Sequence, residues 1–139
     1  MAGNFSEDNI ELVVGAAIGG ILLAGGVGRH LNSKHIFSER VNGVMKFKRG
    51  FQVEPNTRVM IVEDIVSTGG SIKELIELLN SYKANIVGII CIVNRSQKNI
   101  QFDARFDSLL NFPSESWEEN ECPEWLLKTP ITKPGSTGK

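Results

Sequence analysis

The chain has few of the residues that usually announce a function. It carries two cysteines, two histidines and almost no charge imbalance, with 15 Lys+Arg against 16 Asp+Glu in 139 residues. Two cysteines build neither a disulfide framework nor a four-thiolate zinc site. A net charge of −1 provides no basic field for nucleic acid. Internal repeats and low-complexity linkers are missing. Hydrophobic residues at 41% and charged residues at 22% lie near the globular average, which excludes disordered, collagen-like and coiled-coil chains. The length fits one domain, 1–139, whose tail 112–139 is rich in Pro, Ser, Glu and Trp and reads as irregular.

A membrane span is also wanting. Leu12–Gly28 is free of charge, but a spanning helix needs about 20 mainly apolar residues. Gly15, Gly19, Gly20, Gly25, Gly26 and Gly28 dilute its hydrophobicity. Glu7, Asp8 and Glu11 precede it where a secretory signal needs basic residues. A buried strand, a glycine turn and a packed helix fit better. The expectation is a cytoplasmic protein of a reducing compartment, with no membrane and no nucleic-acid partner.

What the chain does have is alternation. Residues 11–15 and 35–38 read as short strands, with a helix over 18–31 between them. Residues 39–50 are polar and basic, and Asn42-Gly43 signals a two-residue hairpin. Val59–Val62 reads as a central parallel strand. Ile72, Leu75, Ile76, Leu79 and Tyr82 have helical spacing within 71–82. Residues 85–93 and 106–110 complete the strands. The pattern predicts an α/β fold with a mainly parallel sheet, whose ligand would lie outside the carboxyl ends of the strands.

The most informative stretch is Val59 to Ser71, VMIVEDIVSTGGS. An apolar strand runs into two acids, then into a loop of hydroxyls and glycines, then into a helix. Loop amides and a helix N-terminus make a phosphate cradle. Neither the Walker A spacing nor the GxGxxG turn is present. Glu63 and Asp64 suit sugar hydroxyls, or waters on Mg²⁺. The purely structural alternative is a helix cap, with Ser67 or Thr68 at the N-cap, or Ser71 and Glu74 forming a capping box.

This stretch resembles the phosphoribosyl-pyrophosphate (PRPP) signature of type I phosphoribosyltransferases, and within that class the chain resembles the bacterial orotate phosphoribosyltransferases. Val13–Ile21 is similar to that family's pyrophosphate loop. Ile92-Val-Asn-Arg95 is similar to its Val-Asp-Arg turn, and Pro130–Ser136 to the end of one bacterial branch. The resemblance implies a type I phosphoribosyltransferase-like sheet flanked by helices, and transfer of phosphoribose from PRPP to orotate. The products would be orotidine 5′-monophosphate and pyrophosphate, a step of pyrimidine biosynthesis. It implies PRPP binding by Glu63, Asp64, Ile65, Val66, Ser67, Thr68, Gly69, Gly70 and Ser71. It implies a pyrophosphate loop of Gly15, Ala16, Ala17, Ile18, Gly19 and Gly20, and orotate contacts from Ser67 and Arg95.

Mg²⁺ is the implied cofactor, held mainly by PRPP and water with no direct protein ligand. A homodimer is implied too, because in the family a mobile basic loop reaches into the neighbouring subunit's site. Residues 39–50 would be that loop, with Arg40 and Lys46 as its candidate catalytic residues and Lys48 and Arg49 as further charge; the alternative is a solvated hairpin. Family members carry a longer N-terminal region with a hood over the base. Only Met1 to Ile10 precede the first core strand here, so the hood is expected to be lacking and the chain to be a reduced member or a fragment. Rival readings are a purine or uracil phosphoribosyltransferase and a non-catalytic PRPP-binding regulator. Cys91 reads as core, while Cys122, His30 and His35 suggest no metal role.

Overall fold

A computed structural model describes residues 1–97, 99–115, 117 and 119–130. The stretch 131–136 of the resembling tail lies outside them. Six strands form one sheet: β1 Leu12–Ala16, β2 Lys34–Val41, β3 Val44–Lys46, β4 Arg58–Val66, β5 Asn85–Asn94 and β6 Arg105–Asn111. Their order is β3-β2-β1-β4-β5-β6, and every pairing is parallel except β2 with β3. Helix α1, Gly19–Leu31, joins β1 to β2, and α2, Gly70–Ser81, joins β4 to β5.

The apolar runs of β1 and β4 are explained by burial on both faces. Val14, Ile61 and Ile89 pack with Ile72, Leu75 and Leu79 of α2. Val13, Met60, Val62 and Ile90 pack with Ala24 and Val27 of α1. The helices therefore cover opposite faces. Chain order reverses between neighbouring β1 and β4, and this opens a crevice beyond their carboxyl ends. The two loops singled out in the sequence leave the sheet there.

The hairpin forms as expected. Val41 pairs with Val44, and Asn42 and Gly43 both take positive φ, 52° and 79°. Several boundaries differ from expectation. β2 runs on to Val41 instead of ending at Ser38, so Arg40 stands in a paired strand and not in a loop. β4 runs four residues beyond Val62, so Glu63 and Asp64 lie inside the strand, on opposite faces, instead of at its end. The tail is not wholly irregular: a 3-10 turn spans Glu119–Glu121, and one helical turn, α3, spans Glu124–Leu127. The residues before β1 dock on the sheet. A 3-10 turn at Ala2–Phe5 buries Phe5 against Gly88, where a side chain on the glycine would overlap the ring. The Arg105 guanidinium covers that ring at 4.5 Å. Among the described residues no helix is long and apolar enough to cross a membrane.

Candidate active site

A small cavity of about 200 Å³ is lined by Glu63 and by Ile65 to Ile72. Its rim is the loop Ser67–Ser71. Gly69 holds φ at 77° and starts α2, a conformation that favours glycine. The capping expectation fails here. Gly69 is the N-cap and no side chain caps the helix; Thr68 Oγ accepts only a long bond of 3.4 Å from the Gly70 amide. Beyond that bond the first amides of α2 have no side-chain cap, the setting in which a helix N-terminus can accept an anion. Ile100 and Phe102, from the β5–β6 connection, press on Gly69 from outside.

Glu74 does not turn back to box the helix either. It is taken by Arg40 of β2, whose Nε and Nη2 donate to its carboxylate at 3.0 Å each. Arg40 Nη2 also donates to Ser71 Oγ at 3.2 Å. The cradle has no basic residue in its own sequence, yet the fold delivers one from β2. Lys46, by contrast, stands on β3 opposite Glu39 and lines neither this cavity nor the one described below. Arg49 pairs with Glu39 at 3.4 Å and lies over Phe37. Of the candidate loop residues, the structure brings only Arg40 to the cradle.

The two acids differ in setting. Glu63 is buried, and its Oε1 accepts from the Asp64 amide at 3.1 Å. Burial, reinforced by the neighbouring Asp64, pushes its carboxyl up to about 7, with the Arg40 charge opposing. Asp64 is half-buried, and its Oδ1 accepts from the Ile65 amide at 2.7 Å. Cys91 stands opposite Glu63 in the register. Burial raises its thiol to about 11, so it remains a neutral core residue, as read.

On the α1 side, the expected pyrophosphate loop is a short turn. Gly15 and Ala16 end β1, Ala17 and Ile18 turn, and Gly19 and Gly20 begin α1. The Ala17 amide donates to the Ser38 carbonyl at 2.7 Å and the Ile21 amide to the Ile18 carbonyl at 3.2 Å, and no side chain caps α1. A side chain on Gly15 would collide with the Gly20 backbone, and one on Gly19 with the Asp64 carboxylate. This close packing fits both turns around one crevice.

A second cavity, of about 570 Å³, adjoins the first. Ser67 and Thr68 line both. Its other walls are Lys73, Arg95, Ser96, Gln97, Asn99, Ile100, Gln101 and Ser114. Ser114 Oγ accepts from Arg95 Nε at 3.0 Å, and the Arg95 amide bonds to the Val66 carbonyl. Ser67 and Arg95, 28 positions apart by number, thus share one cavity. The sequence reading missed this cavity; the apolar Ile100 and Phe102 within a polar stretch were its available signal.

Residues 2–124 match the phosphoribosyl transferase domain. The orotate phosphoribosyltransferase of Thermoanaerobacter sp. (strain X514) is 44% identical over 136 residues, 98% of this chain and 72% of that protein. The chain belongs to the orotate phosphoribosyltransferase family. The Thermotoga maritima member is 45% identical over 130 residues, covering 94% of this chain and 70% of its own length. The fold is shared with adenine phosphoribosyltransferase of Rhodothermus marinus, at a TM-score of 0.68 and 20% identity, over 79% of this chain and 74% of that one. It is shared too with orotate phosphoribosyltransferase of Aeropyrum pernix, at a TM-score of 0.61 and 22% identity, over 78% of this chain and 64% of that one. Membership accounts for the six-stranded sheet and for the signature at 63–71.

Proposed function

We propose that this family member transfers the 5-phosphoribosyl group of PRPP to N1 of orotate, giving orotidine 5′-monophosphate and pyrophosphate. The observation that carries the reading is the pair of cavities joined at Ser67 and Thr68, one built as a phosphate cradle and the other presenting Arg95. The 5-phosphate occupies the amides and hydroxyls of Ser67–Ser71, with Arg40 adding charge through Ser71. Glu63 and Asp64 meet the ribose hydroxyls. Pyrophosphate leaves toward the amides that open α1. Ribose C1 then lies at the seam, within reach of a base in the second cavity. Arg95 offers its remaining guanidinium donors to the carbonyl-rich ring.

Among the described residues no group of three or more His, Cys, Asp or Glu side chains is placed to hold a metal. A single carboxylate, Asp64 beside the Gly19 turn, suits an outer contact to waters on Mg²⁺ carried by the diphosphate. When bound, Mg²⁺ neutralises the charge of the leaving pyrophosphate. The homodimer reading is supported by Ile18 of the expected pyrophosphate turn and Leu22 of α1, 85% and 86% exposed. The free Cys91 and Cys122 support a cytoplasmic setting.

The test is acceptor competition. The purified chain is supplied with PRPP, Mg²⁺ and equal concentrations of orotate, uracil and adenine. Consumption of orotate alone supports the reading. Preference for uracil or adenine reassigns the acceptor, and PRPP binding without any turnover leaves a regulator.

A further inference from the structure

We propose that Glu74 is a positioning residue for the phosphate cradle. It acts through Arg40 to hold the Ser71 hydroxyl ready to donate to the 5-phosphate, and this rests on the reading above. The three side chains come from two elements. Arg40 stands on β2, paired with Met45 across the hairpin. Ser71 and Glu74 stand about one turn apart on the same face of α2. Glu74 takes two donors of the Arg40 fork, Nε on Oε2 and Nη2 on Oε1, each at 3.0 Å. A guanidinium gripped at two points has a fixed plane as well as a fixed place. The same Nη2 donates to Ser71 Oγ at 3.2 Å.

The arrangement does little for stability, because both partners of the ion pair are exposed to solvent. What it fixes is direction. A serine hydroxyl has one hydrogen to give and lone pairs to receive. With Arg40 filling a lone pair, the hydrogen of Ser71 points away from the guanidinium. A serine without such a partner tends to turn its hydroxyl onto nearby backbone. Ser71 lines the cradle cavity, so its hydrogen is available to a phosphate oxygen there. The hydrogen bond from a charged donor also polarises the hydroxyl and strengthens its own donation. Glu74 stays ionised for this task, since the hydrogen bonds and charge of Arg40 hold its carboxyl below the usual range. Glu74 does not itself line the cavity. Any effect of its substitution on phosphate binding must therefore travel through Arg40 and Ser71.

The test is calorimetric titration of ribose 5-phosphate, and separately of pyrophosphate with Mg²⁺, into the wild-type chain and four variants. These are Glu74→Ala, Glu74→Gln, Arg40→Met and the double variant Arg40→Met with Glu74→Ala, each also melted thermally. Glu74→Ala is expected to weaken ribose 5-phosphate about fivefold, the weight of one oriented hydrogen bond. Its pyrophosphate affinity and melting temperature should stay as in the wild type. Glu74→Gln keeps one acceptor for the fork and should lose less. The double variant should bind ribose 5-phosphate no worse than Arg40→Met alone, because Glu74 acts only through that side chain. The proposal falls, while the orotate reading stands, on any of three results: unchanged ribose 5-phosphate affinity in Glu74→Ala, a full additional loss in the double variant, or an equal or larger loss of pyrophosphate. A folded wild-type chain that binds no ribose 5-phosphate overturns both.

Discussion

The Asp64 carboxylate fills the space into which a side chain on Gly19 would project. The first residue of α1 and the second acid of β4 are thereby locked together across the crevice. Gly19→Ala must displace one or the other. We expect Gly19→Ala to cut kcat/KM for PRPP by tenfold or more, with an unchanged circular dichroism spectrum. Gly26 on the same helix has open space around it. Gly26→Ala should therefore leave kinetics alone and stabilise by about 0.5–1 kcal/mol, the helix-propensity difference. Equal kinetic loss in both variants would contradict the lock.

Glu63 predicts a pH dependence of stability. Its carboxyl is raised from 4.5 to about 7 in the fold, so folding disfavours the ionised form. Below the unfolded value both states are protonated and nothing is lost. As pH rises through the window from 4.5 to about 7 the native state loses up to about 3 kcal/mol, a loss complete above it. Glu63→Gln should remove this slope, gaining stability at pH 8 and little at pH 4. Urea melts at the two values check it; parallel profiles for wild type and variant would contradict the raised carboxyl.

Arg40 separates function from stability. Its pair with Glu74 is exposed on both sides, where solvent screening leaves an ion pair little weight in stability. Arg40→Met should leave the melting temperature nearly unchanged and raise KM for PRPP by about tenfold, the cost of one charge-assisted contact. An unchanged KM would show that the guanidinium serves only α2.

Phe5 anchors the N-terminal turn. It is 1% exposed and fills the space above Gly88. Phe5→Ala should cost about 3 kcal/mol by thermal or urea unfolding, within the range for buried aromatics. A cost below ~1 kcal/mol would mean the turn is only loosely docked.

The strands and helices were readable because their signals are local. Apolar runs bounded by turn residues marked β1, β4 and β5, and helical spacing marked α2. Asn42-Gly43 marked the hairpin, and the acids with the hydroxyl-glycine loop marked the cradle. What was not readable depends on residues far apart in the chain. Nothing near Arg40 in sequence indicates that it would reach Ser71 and Glu74 on α2, because parallel pairing of β2 with β1 brings them together. Glu74 looked like a capping residue for the same reason: its competitor lies 34 positions earlier. Phe5 gave no periodic signal, since a single anchoring side chain has no period. The β5–β6 connection, with Arg95, Gln97, Asn99 and Gln101, forms a cavity wall because Ile100 and Phe102 lie against Gly69, more than 30 positions earlier in the chain.

The most direct test of the joined cavities is orotate-dependent pyrophosphate release by the purified chain with PRPP and Mg²⁺. The account predicts one pyrophosphate for each orotate consumed, and no release above background when orotate is left out. A folded chain that binds PRPP but releases no pyrophosphate on adding orotate would contradict it.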